Sequence, residues 1–261
     1  MSDNEKVAVL VDAENISYQY AKLIIDEASR FGTIICKRIY GDWSNQALSS
    51  WIQPIKDYSF NAIQQFSNTK GKNASDSALI IDAMDLLHEN KFQCVCIISS
   101  DSDFTRIASR LRESEIYVVG MGEQKTPSSF RSACDKFLYL DVLQNEPTKD
   151  NSEDEHNEET NSDLTENEEK NGLNKPAIAK AITNIISSGA DEDGWIPLAD
   201  LGRILNQNFS DFDVRNFGHS NLSGFVESFA EFEIRRNPSE SNPMQKVVYV
   251  RKKPKDQKAG D

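Results

Sequence analysis

The chain has 261 residues, of which 38% are hydrophobic and 27% charged, and its 29 basic and 42 acidic side chains leave a formal net charge of −13. That length accommodates one large or two small domains. An acidic excess ordinarily excludes nucleic acid as a partner, because phosphate binding draws on Lys and Arg, so the placement of the charge decides more than its sum.

Taken in chain order, strand-length apolar runs alternate with helix-period segments. Residues 7–11 (VAVLV) read as a buried strand, followed by a helix over 16–31 with Leu23, Ile24 and Ala28 on one side. A strand over 33–40, a helix over 44–58, a strand over 61–66 and a helix over 75–90 come next. The strand 94–99, a helix over 104–113 and a strand from 116 to 120 complete the pattern. This β-α-β-α order predicts an α/β fold, a parallel sheet with helices on both faces, over residues 1–145.

Residues 146–172 break the pattern. They hold 11 acids and 2 bases, against 19 and 15 in residues 1–145 and 12 and 12 in residues 173–261, and Leu164 is their only aliphatic side chain. A segment so poor in apolar surface cannot offset its ordering entropy, and a disordered acidic linker is expected there. Beyond it, Ile178, Ile182, Ile185 and Ile186 form a helical stripe, and Trp195-Ile196-Pro197 is expected to open a second helix with Leu198, Leu201 and Leu205. A third helix carries Leu222, Phe225, Val226 and Phe229, with Ser220 as the expected cap. Two strands, FEIRR and VVYVR, flank a polar turn. Three helices and a hairpin predict a small winged helix over 173–253, with a polar tail over 254–261.

No apolar run approaches the roughly 18–20 residues of a membrane span, and MSDNEKVAVLVD lacks a basic region ahead of a long apolar core. A soluble, cytoplasmic protein is expected. Cys36, Cys94, Cys96 and Cys134 are not joined by histidines at ligand spacing, since His88, His156 and His219 are scattered, so reduced structural thiols are expected rather than a zinc site.

In open parallel sheets, chemistry gathers at the carboxyl ends of the strands. Asp12 directly follows the first strand, and Asp101 and Asp103 follow the strand ending at Ser99. Asp76 lies near the start of the helix after the third strand. Any one of Asp12, Asp76 and Asp103 is explained by helix capping. Capping does not predict several such acids at one sheet edge, nor the doubled Asp101-Ser102-Asp103. Clustered carboxylates repel unless a cation neutralises them, and oxygen ligands suit Mg²⁺ or Mn²⁺. No Ser-His-Asp set, GxxxxGK[ST] loop or GxGxxG fingerprint is present. Metal-assisted phosphodiester hydrolysis fits these residues.

The strings VLVDAENIS, RIYGDW, KGKNASDSALIIDAMD and CIISSDSDFTRIASRLRE, in that order, resemble the NYN domain, a branch of the PIN-like nucleases that includes the LabA and DUF88 proteins. The resemblance covers roughly residues 5–143 and implies a PIN-like fold, an acidic metal site and RNA cleavage. It implies that Asp12, Asp76, Asp101 and Asp103 hold metal and that Asn15 is the polar partner of the D-x-x-N motif. Ser99 and Ser100 match small polar positions, and Asp82 falls where an acid is frequent, although it lies about 120° around the helix from Asp76. Residues 174–252 are similar to the OST-HTH, or LOTUS, domain, which implies RNA binding or protein docking.

For substrate contact, Lys70 and Lys72 flank Gly71 ahead of the Asp76 helix, while Lys37 and Arg38 lie near the end of the second strand with Trp43 close behind. Ammonium and guanidinium groups hold phosphates, and an indole stacks on a base; solvated lysines and a core tryptophan are the alternative. The third helix of the second domain has no Arg or Lys to read a DNA groove, whereas Arg235, Arg236, Arg251, Lys252 and Lys253 on the hairpin offer phosphate contacts. Two function classes follow: a divalent-metal-dependent ribonuclease of single-stranded RNA, or a non-catalytic RNA-binding adaptor with a vestigial acidic site. Phosphatase chemistry of the haloacid dehalogenase type needs D-x-D-x-T, and Asp12-Ala13-Glu14-Asn15-Ile16 does not supply it.

Overall fold

Six buried residues in a row follow Lys6 in the first strand, β1 (Lys6–Asp12), and all five residues of β4 (Cys94–Ile98) are buried. Unbroken apolar runs of this kind belong to parallel strands covered on both faces. With β2 (Thr33–Gly41), β3 (Asn61–Gln64), β5 (Tyr117–Gly122) and β6 (Lys136–Tyr139), they form one sheet in the order β3-β2-β1-β4-β5-β6, parallel throughout. The computed structural model describes residues 5–66, 74–145, 174–191, 193–238 and 246–253. Lys70, Lys72, the predicted linker 146–172 and the tail 254–261 lie outside the described residues.

Side-chain alternation along β1 divides the core. Val7, Val9 and Val11 face α1 (Ala21–Ser29), Leu48, Trp51 and α6 (Leu140–Gln144). Ala8 and Leu10 face α3 (Ala74–Glu89), α4 (Thr105–Glu113) and α5 (Ser128–Ala133). Between β2 and β3, the expected helix is split into a 3-10 segment, Gln46–Trp51, and α2 (Ile52–Asp57). The strand order reverses direction at β1, whose neighbours β2 and β4 lead to opposite edges. That is the switch point at which the helices diverge and leave a crevice above the carboxyl ends of the strands. The four cysteines are free thiols, three of them buried.

The second domain packs α7 (Lys175–Gly189), α8 (Leu198–Asn208) and α9 (Leu222–Glu227) around Ile178, Ile182, Leu201, Leu205 and Phe225, against an antiparallel sheet. That sheet runs β7 (Ile196–Pro197), β9 (Lys246–Lys252), β8 (Phe232–Pro238), which makes the winged helix. Two local expectations are corrected. Ile196 and Pro197 pair with Val250 and Tyr249 as a short strand before α8, and the cap of α9 is Asn221, whose side chain accepts from Gly224 N at 2.8 Å, rather than Ser220. An Asn side chain one residue later reaches the same exposed amide.

The two domains touch directly. Phe137 N on the edge strand β6 donates to Ser210 O at 2.7 Å, and Arg131 pairs with Asp211 at 2.7 Å. Arg215 bridges Glu27 of α1 at 2.8 Å and Asp213 at 2.9 Å.

Candidate metal centre

β1 ends at Asp12 and β4 ends one residue before Ser99, so adjacent strands deliver both segments to the switch point. Asp12 is buried and its carboxylate is heavily engaged. Asn15 Nδ2 and Ser99 Oγ donate to Oδ2 at 2.6 and 2.9 Å, and Glu14 N donates to Oδ1 at 3.1 Å. Burial pushes the Asp12 carboxyl up, against the lowering effect of the Asn15 and Ser99 bonds. Ser99 is fully buried and also accepts from Asp101 N at 3.1 Å, so one hydroxyl ties the two aspartate-bearing turns together.

After Ser99 the chain turns through Asp101, which caps the 3-10 segment Ser102–Phe104 by accepting from Asp103 N at 3.0 Å. The cap is thus Asp101, which is not among the capping candidates, whereas Asp103, which is, lies inside the segment and donates its backbone N–H to that cap. Asp76 sits in the first turn of α3 and is 6% exposed. Carboxylate oxygens of Asp76, Asp101 and Asp103 all lie within 4.8 Å of one another. Burial, followed by the charges of Asp12, Asp101, Asp103 and Glu14, pushes Asp76 up to about 7. Three hard oxygen donors at that spacing fit a Mg²⁺ or Mn²⁺ ion, and the raised Asp76 records an electrostatic strain that a cation would relieve.

The family model of the NYN domain matches residues 6–141, and that of the OST-HTH/LOTUS domain matches residues 175–243. The chain belongs to the NYN domain family. No curated protein matches the sequence. Among solved structures, a protein of unknown function from Vibrio parahaemolyticus is similar at 17% identity and a TM-score of 0.45, over 53% of this chain and 94% of that one.

Within the NYN domain, the sheet with helices on both faces is the expected PIN-like α/β fold, and the second domain is the expected OST-HTH unit. The other expected contact residues are placed as follows. Arg38 pairs with Asp82 at 2.9 Å, Tyr40 OH donates to the same carboxylate at 2.8 Å, and Lys37 Nζ donates to Tyr58 O. Trp43 donates from its backbone N to Gln64 Oε1 and from its indole N–H to Ile63 O, both at 3.0 Å. Its ring lines an open cavity of about 390 Å³ with Leu48, Ile52 and Ile55. Asp82 is thus engaged with β2, away from the trio. Sequence reasoning missed the bridging role of Ser99 and the Tyr40 bond to Asp82, since neither follows from spacing along the chain.

Proposed function

We propose that this protein is a divalent-metal-dependent ribonuclease that hydrolyses phosphodiester bonds of single-stranded RNA in the cytoplasm, with Mg²⁺ or Mn²⁺ held by Asp76, Asp101 and Asp103. The observation that carries this reading is the convergence of those three carboxylates within 4.8 Å, at the switch point of a NYN domain. A bound divalent ion supplies there a Lewis acid that acidifies water and offsets charge developing on the phosphodiester. Asp12 completes the acidic set. An ionised carboxylate offers about four lone-pair positions, and three of those on Asp12 are filled by Asn15, Ser99 and Glu14, so its remaining position is available and its orientation is set. Asn15 holds Oδ2, which opposes the upward push of burial on the carboxyl and keeps it aimed.

Lys70 and Lys72, just ahead of α3, contact phosphates in this reading, and Trp43 stacks on a base beside its cavity. Arg38 and Lys37 act through the internal partners named above. The OST-HTH domain contacts RNA through its hairpin, where Arg235 and Lys252 are exposed. Among the described residues no helix is long and apolar enough to cross a membrane.

The test is a Mg²⁺/Mn²⁺ titration of cleavage on a 5′-labelled single strand and on its duplex. Metal-dependent cutting that prefers the single strand is expected. RNA binding without cutting at any metal concentration identifies a non-catalytic adaptor instead.

A further inference from the structure

The contact between the two domains has a chemistry of its own. Glu27, Arg131 and Lys136 come from the first domain, and Asp211, Asp213 and Arg215 from the second. Each charge meets its opposite: Arg131 with Asp211 at 2.7 Å, Lys136 with Asp213 at 3.7 Å, and Glu27 with Arg215 at 2.8 Å. Tyr139 OH adds a bond to Asp211 at 2.7 Å, and Ser210 Oγ donates to Arg131 O at 2.8 Å. Glu27, Arg131 and Asp211 are 3%, 6% and 8% exposed, so the lattice is shielded from solvent. Burial pushes Asp213 up, yet Arg215 and Lys136 hold its carboxyl below the ordinary range. Two pairs of one polarity and one of the other, in fixed positions, accept one orientation and repel others. The contact also occupies the outer edge of β6 through the Phe137–Ser210 bond, covering an edge that would otherwise stay open to pairing.

Its placement matters as much as its strength. The docking residues sit on β6, α5 and the last turn of α1, whereas the carboxylate trio lies at the β1–β4 switch point. The second domain docks through the turn at residues 210–215, and its hairpin residues Arg235, Lys246, Lys252 and Lys253 stay exposed. Trp195 is stacked between Arg235 and Arg251, at 4.5 and 4.6 Å, which fixes two guanidinium groups on that face. Covalent linkage of the two domains in one chain raises their effective concentration towards the millimolar range, so a contact of only ~10 µM intrinsic strength would be closed about 100 to 1.

We infer that the second domain is a docked, fixed part of the molecule, and that its exposed basic hairpin and the carboxylate trio are two set points that one RNA strand spans. The spanning rests on the ribonuclease reading above; the docking does not. A freely tethered module would gain affinity gradually with RNA length, whereas two fixed points give a step at the length that reaches both.

Hydrogen exchange on the full chain tests the docking. The Phe137 amide is expected to exchange up to ~100-fold more slowly in the wild type than in Arg215→Glu, and Glu27→Arg should open the contact from the other side. An unprotected Phe137 amide in the wild type, or equal protection in both variants, overturns the docking. Fluorescence anisotropy with oligouridylates of increasing length, in Ca²⁺, tests the spanning. The wild-type dissociation constant should drop by about 10-fold or more within a few nucleotides, and that step should vanish in the two variants. A smooth length dependence in the wild type, or an unchanged step in the variants, overturns it. Absence of cleavage would count against the ribonuclease reading and leave both of these results intact.

Discussion

Asp76 carries the electrostatic cost of the trio. Its carboxyl is pushed to about 7 by burial and by four neighbouring acids, against about 3.9 in an unfolded chain. The folded protein therefore holds that proton more tightly than the unfolded chain does. The resulting stabilisation is complete below about pH 4 and is lost as pH rises through 7. Without metal, the melting temperature is expected to fall between pH 5 and pH 8, and added Mn²⁺ should raise it more at pH 8 than at pH 5. Asp76→Asn should flatten this pH dependence and remove the Mn²⁺ response; a metal-free melting temperature that rises over the same interval would contradict it. Ser99 offers a second check. Ser99→Ala removes a donor from Asp12 and an acceptor from Asp101 N, inside a site with no exposed surface at that hydroxyl-bearing residue. A loss of about 1–3 kcal/mol in stability is expected from chemical denaturation, together with weaker Mn²⁺ binding by calorimetry. The aspartates were legible in sequence because each stands at a strand end or a helix start. Which oxygens converge was not, since that depends on side-chain direction. Neither were the internal partners of Arg38, Lys37 and Trp43, which pair across elements some 20 to 44 residues apart.

At the scale of elements, α3 must hold its register for Asp76 to meet Asp101 and Asp103. Asp82, lower on the same helix, accepts from Tyr40 OH and pairs with Arg38, both on β2. Burial and the bond to Asp82 keep the Tyr40 phenol protonated well above its ordinary range, so it remains a donor. Tyr40→Phe and Asp82→Asn are each expected to cost about 1 kcal/mol, the Arg38 pair being partly exposed. Both should also weaken Mn²⁺ binding several-fold by calorimetry, with less than additive effects in the double variant. Loss of stability with unchanged Mn²⁺ affinity would show that the contact holds the fold and does not position the site. Long elements were readable: β1 and β4 as continuous apolar runs, and α3 by length and period. Short ones were readable only in part. The four-residue β3 was anticipated within the run 61–66, whereas the four-residue β6 and the six-residue α5 leading to it, too short for a period to declare itself, were not. Their omission hid the edge on which the second domain docks.

Across the whole molecule, the net charge of −13 is compatible with an RNA partner because of where it lies. Residues 146–172 hold 11 acids and 2 bases, while the second domain and tail balance at 12 and 12. In the first domain the excess of acids over bases is four, the number of aspartates in the proposed acidic set of Asp12, Asp76, Asp101 and Asp103. Both domain types and their order were legible in sequence, since each has its own core pattern. Their contact was not, because a charge lattice of single residues from α1, α5, β6 and the 210–215 turn leaves no periodic trace. The central claim is that the carboxylate trio acts on RNA through a divalent ion, and single-turnover cleavage of one single-stranded RNA in Mn²⁺ by wild type and Asp101→Asn tests it most directly. The expected result is metal-dependent cutting by the wild type and a rate at least ~100-fold lower for the variant, equivalent to about 3 kcal/mol of transition-state stabilisation. Equal rates for the two proteins, or wild-type cutting that persists undiminished in EDTA, would contradict it.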